Sequence, residues 1–96
     1  MRYTLNDRTK ARYAAFARRV FNISECDDKL AAETGINALE EFFASIGLPK
    51  TLPEVGITDD KHFKEMSEHA CKCFPLDLAF EPLTPDDVDK ILRMCM

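Results

Sequence analysis

Apolar residues recur along this chain at three- and four-residue intervals, and no stretch alternates with period two over five residues. Every element the pattern predicts is therefore a helix. The first runs from about Asp7 to Phe21, with Asn6 or Asp7 as its cap and Tyr13, Phe16, Ala17 and Val20 as its apolar stripe. The second, from about Asp28 to Ile46, has Ser24, Asp27 and Asp28 available to cap it. Its apolar arc holds Ala32, Gly35, Ile36, Leu39, Phe42, Phe43 and Ile46. An arc wider than 100° calls for burial against two or more neighbours. Gly35 costs a helix about 1 kcal/mol relative to Ala, so its place on that arc predicts a backbone passing close by. Gly47 and Pro49 stop the helix.

Further along, Thr51–Gly56 reads as one short helical turn, with Thr51 as cap, Pro53 in its first turn, and Leu52, Val55 and Ile57 anchoring it. Asp59 and Asp60 open a fourth helix reaching about Cys71, with Phe63, Met66 and Ala70 inward. On its outside, Asp60/Lys64, Lys64/Glu68 and Glu68/Lys72 stand at ion-pair spacing. Cys73–Pro82 holds two prolines and no helical stripe. It reads as a loop, with Phe74, Leu76, Leu78 and Phe80 making it apolar. Thr84-Pro85-Asp86-Asp87 marks the last helix by a capping hydroxyl, a proline at its first position and two acids at the positive dipole end. Val88, Ile91, Leu92 and Cys95 form its stripe, with Asp86/Lys90 and Asp89/Arg93 as surface pairs. The expected fold is all-α, a small bundle of about four to five helices, as a single helical unit over 1–96.

Length and charge narrow this picture. A chain of 96 residues suits one thin-cored domain that buries about 60% of its unfolded surface. No apolar run is long enough for a membrane span, and the N-terminus has no secretory h-region, so the cytoplasm is expected. Residues 1–19 carry Arg2, Arg8, Lys10, Arg12, Arg18 and Arg19 against Asp7, while the rest of the chain is strongly acidic. The basic helix lacks interleaved aromatics and has acidic partners in its own chain, so nucleic acid is not the expected partner.

Candidate chemistry is sparse. His62 and His69 are seven residues apart, too far to share a metal at the i, i+4 spacing. His69, Cys71 and Cys73 could supply soft zinc ligands, but a fourth at the usual spacing is missing. Cys26 and Cys95 lie in distant segments, and no CxxC pair or secretory context supports disulfides. There is no Gly-rich phosphate loop and no nucleophile beside a base. No catalytic, cofactor-binding or metal-ligating residue is assigned.

Three segments in order carry a resemblance: Lys10-Ala-Arg-Tyr-Ala-Ala-Phe-Ala-Arg-Arg-Val-Phe-Asn-Ile23, the stretch Gly35–Ile57, and Pro82-Leu-Thr-Pro-Asp-Asp-Val-Asp-Lys-Ile-Leu92. Together they resemble the C-terminal end of group III iron-dependent alcohol dehydrogenases, above all the butanol-dehydrogenase-like branch of this dehydroquinate synthase-like superfamily. The resemblance implies a parent enzyme with an N-terminal α/β domain for NAD(P) and a helical domain holding Fe²⁺ or Zn²⁺. In that family an Asp and three His bind the metal, which polarises the substrate oxygen during hydride transfer. Met1-Arg-Tyr is similar to the stretch just after the last ligand. No ligand therefore falls on this chain, and neither His62 nor His69 matches a ligand motif. The segment Cys71–Glu81 departs from the family, which often has glycine there.

The implied role is a helical subdomain, inactive by itself, whose partner is the remainder of the parent enzyme. Isolated, it is expected to self-associate through its uncovered apolar face. The alternative is a free-standing helical protein-interaction module; a third reading is a metal protein using His69, Cys71 and Cys73.

Overall fold

The structure, a computed structural model, describes residues 1–96. It is all-helical, with α1 at Lys10–Phe21, α2 at Asp28–Ser45, α3 at Phe63–Cys73 and α4 at Pro85–Met94. Two 3₁₀ turns, Pro53–Val55 and Leu76–Leu78, lie between helices. The internal contacts gather into two compact units, Met1–Leu48 and Pro49–Met96.

In the first unit α1 packs on α2. The seam is made of small side chains: Ala14, Ala17, Ala31, Ala32 and Gly35 are buried, together with Ile36. An ideal Cβ on Gly35 would lie 2.4 Å from the Ala17 Cβ and 3.0 Å from its Cα. The close backbone approach expected at Gly35 is thus that of α1. Because the seam is built on alanines, the predicted stripe of α1 shifts. Tyr13 and Phe16 are half-buried, and Val20 is 61% exposed.

The start of α1 also differs from expectation, coming at Lys10 instead of Asp7. Asn6 spends its side chain on a tight turn, where Oδ1 accepts from the amides of Arg8 at 2.9 Å and Thr9 at 3.1 Å. Thr9 is fully buried, and its hydroxyl donates to the Thr4 carbonyl at 2.7 Å. A buried threonine is tolerable here because its polar atom is satisfied. At the other end, Asn22 takes the left-handed conformation (φ 56°) and closes the helix on the Ala17 carbonyl.

Helix α2 begins as its sequence predicts. Asp27 is the cap, and its carboxylate accepts from the Leu30 amide at 3.0 Å. Its end is a complete Schellman arrangement: Gly47 at φ +86° donates to the Ala44 carbonyl, and Leu48 donates to that of Phe43. The expected burial of the whole apolar arc fails towards this end. Phe42 is 50% exposed, Phe43 43% and Ile46 59%. Within its unit α2 has α1 as its helical partner, and one helix covers only a narrow seam.

In the second unit α3 packs on α4. The chain leaves Pro49 through a 3₁₀ turn, which is tied to the end of α4 by the Leu52 amide donating to the Cys95 carbonyl at 2.8 Å. Thr51 does not cap this turn, since Leu52 holds the cap position; Glu54 instead accepts from the Lys50 amide at 2.7 Å. Helix α3 starts at Phe63, later than Asp59–Asp60, and runs on through Cys73. Its inward positions are Phe63 and Ser67, whereas Met66 is 38% exposed. The Ser67 hydroxyl bonds back to the Phe63 carbonyl at 2.7 Å, so burying it leaves no orphan donor.

Helix α4 has the predicted start in full. Thr84 accepts from the Asp87 amide, and the Asp87 carboxylate accepts from the Thr84 amide at 2.9 Å, with Pro85 in the first turn. Val88, Ile91, Leu92 and Cys95 are all half-buried, as an amphipathic stripe in a thin unit should be.

Candidate functional site

The second unit holds the most concentrated side-chain chemistry. Arg93 of α4 lies 5.8 Å from the centroid of the Phe63 ring, roofing the only large apolar side chain that is fully buried. Its guanidinium is held from two sides, by Asp89 one turn back at 2.7 Å and by Asp60, ahead of α3, at 2.6 Å. Asp60 therefore pairs across the unit with Arg93, and not with Lys64, four residues on. The hydrogen bond from Arg93, and then its charge, hold the Asp60 carboxyl below its ordinary value of 3.8. Arg93 is held more firmly protonated, chiefly by its hydrogen bonds to Asp89 and Asp60.

A carboxyl depressed by folding stabilises the fold above its ordinary value and ceases to do so as pH falls through its lower folded value. The α3–α4 pairing should accordingly keep this contribution at neutral pH and lose it in acid, below about 3.8. Helical circular dichroism followed from pH 6 to pH 2 should show Asp60→Asn losing part of the acid sensitivity of the parent chain. Equal acid profiles for the two proteins would refute the link.

Beside this clamp, Lys64, Glu68, Asp86 and Arg93 line an open groove of about 370 Å³. Two of these charges have structural partners: Arg93 in the clamp, and Asp86 with Lys90 at 3.0 Å.

Of the metal candidates, the structure brings together two. His69 and Cys73, four residues apart on α3, place the imidazole Nε2 3.4 Å from the thiol Sγ. Cys71 is half-buried and does not join them. His62 instead approaches Glu65, at 3.6 Å. Nowhere do three His, Cys, Asp or Glu side chains converge as a metal set. His69 and Cys73 stand at i, i+4 and share a face of α3, whereas Cys71 and Cys73, two apart, do not face each other.

In the first unit Arg2, Lys10 and Arg18 meet acids of the same unit. Arg18 pairs with Asp28 at 2.9 Å and donates to the Glu25 and Cys26 carbonyls, binding the α1–α2 connection. Arg2 reaches Glu40 at 3.1 Å and Asn37 at 3.2 Å.

The chain matches, over residues 1–96, the family described as Fe-containing alcohol dehydrogenase family, C-terminal. It belongs to that family. NADH-dependent butanol dehydrogenase A of Clostridium acetobutylicum is 37% identical to it over 95 residues, covering 97% of this chain and 24% of that protein. The chain thus spans about a quarter of the length of this relative. No solved structure matches it. Within the iron-containing alcohol dehydrogenase family, the helices described here form part of the C-terminal region, and an all-α fold is what the structure shows. The iron that gives the family its name needs several convergent donors. These 96 residues do not fit it, because their donors converge at most in pairs. No helix is long and apolar enough to cross a membrane.

Proposed function

We propose that this chain is the structural helical end of an NAD(P)H-dependent, iron-type alcohol dehydrogenase, supporting the metal-bearing helices and closing one side of the substrate cleft. Nicotinamide cofactor and Fe²⁺ or Zn²⁺ belong to the parent enzyme, where hydride passes between cofactor and an alcohol or aldehyde while the metal polarises the oxygen. Alone, the chain is inactive. The cytoplasm suits it, since the four cysteines are all free thiols.

The observation that carries this reading is the uncovered end of α2. Phe42, Phe43, Ile46 and Leu48 are each between 43% and 59% exposed on a helix whose caps and seam are otherwise complete. Large apolar side chains grouped on one segment mark a surface made to be covered. In this reading the cover is the remainder of a longer enzyme, which the roughly fourfold greater length of the butanol dehydrogenase relative supports. A second reading, a free-standing interaction module, draws on the apolar stretch after α3, where Phe74 is 65% exposed and Leu78 80%.

The test is an assay of the purified chain with NADH or NADPH and butyraldehyde, alone and co-expressed with the metal-binding and nucleotide-binding parts of a butanol-dehydrogenase-like enzyme. No turnover is expected alone, with sedimentation at high micromolar concentration showing self-association; turnover should require the added parts. Reduction of aldehyde by the isolated chain would refute the reading. A strictly monomeric chain that fails to join those parts would favour the interaction module.

A further inference from the structure

One juxtaposition on α3 takes no part in helix packing or in the role proposed above. His69 and Cys73 stand one helical turn apart, both exposed, with Sγ 3.4 Å from Nε2 and 3.8 Å from Nδ1. We propose that His69 and Cys73 chelate a thiophilic divalent cation, zinc(II) foremost, as a two-ligand site completed by water.

The geometry is the first reason. A tetrahedral zinc lies about 2.3 Å from a thiolate sulfur and about 2.0 Å from an imidazole nitrogen, which sets the two donor atoms about 3.5 Å apart. The side chains stand at that separation. With Sγ also 3.8 Å from Nδ1, the sulfur lies off the Nε2 lone-pair axis, so the imidazole must turn about its own side-chain bonds to face the ion, a rotation that leaves the helix unchanged. Donor chemistry is the second reason. One nitrogen and one sulfur select zinc or a similarly soft cation, whereas calcium and magnesium require several oxygens. Position is the third. Cys73 is the last residue of α3, and the carbonyl end of a helix favours positive charge.

On binding, the Cys73 thiol releases its proton to solvent, and the Zn–S and Zn–N bonds replace two waters of the hydrated ion. No electron moves. The same contact without metal would be a plain hydrogen bond between thiol and imidazole, and the experiment separates the two. No third donor of the chain converges on the pair, so water completes the coordination.

Zinc(II) should be titrated into the purified chain by calorimetry in a non-thiol reductant, with cobalt(II) as a second probe. Thiolate ligation to cobalt is read from its charge-transfer absorbance. Binding of one ion per chain is expected, weakened about tenfold or more in both Cys73→Ser and His69→Gln. Cys71→Ser should leave it unchanged. All three variants retain Cys26 and Cys95, so differences among them isolate the pair, and circular dichroism confirms that α3 persists. Equal zinc affinity in the parent chain and both variants would overturn the site. So would loss in Cys73→Ser with none in His69→Gln, which would make it a lone thiol.

Discussion

Gly35→Leu is expected to abolish the packing of α1 on α2, and Gly35→Ala to weaken it by about 1–2 kcal/mol. Even one added carbon would lie 2.4 Å from the Ala17 Cβ and 3.0 Å from the Ala17 Cα, and no rotamer change can move either atom. Carbon atoms pack best at about 3.5–4.0 Å, so the helices must separate. Overpacking of this kind costs about 1–3 kcal/mol, against a gain of about 1 kcal/mol from placing alanine in a helix. The steric term wins, because separation also loosens Ala14, Ala31 and Ala32 along the same seam. Thermal unfolding of Gly35→Ala, Ala17→Gly and the double variant checks this as a cycle. The double variant moves the Cβ from one side of the seam to the other and should recover part of the loss. Strict additivity would mean the two positions do not meet.

Phe63→Ala should be as damaging in the second unit. Phe63 is 1% exposed and the only large apolar side chain in that unit fully removed from water. Truncating a buried phenylalanine costs about 3–5 kcal/mol, and the better helix propensity of alanine returns only a few tenths. Small helical units have little more than that to lose. Circular dichroism of Phe63→Ala should show the α3 and α4 share of the helical signal lost at room temperature, with Phe63→Leu intermediate. Retention of the full signal would show that Arg93 and the half-buried stripe of α4 hold the unit without the ring.

Some helix ends were well read from the sequence, and others, at α1, the Thr51 turn and α3, were not. The Thr84–Asp87 box, Asp27 before α2 and Gly47 after it stand where expected. The expected approach of a backbone at Gly35 was also met, though only the structure says that the backbone is that of Ala17. Inward and outward assignments fared less well. Val20 and Met66 are apolar yet exposed, while Thr9 and Ser67 are polar yet buried. Hydropathy cannot anticipate that a hydroxyl will satisfy itself on a nearby carbonyl, which is what makes both burials cheap. Asp60 shows the same limit for charge. Lys64 stands four residues away, yet the partner that binds Asp60 is Arg93, thirty-three residues on.

By itself the sequence determined the helical class, the start and stop of α2, the start of α4, and the family, because each rests on residues within a few positions of one another or on ordered segments of chain. Tertiary structure alone decided which small side chains meet, that Arg93 closes over Phe63, and which apolar residues stay in contact with water. Those outcomes depend on how surfaces distant in sequence fit together, and a helical period specifies a face without specifying what covers it.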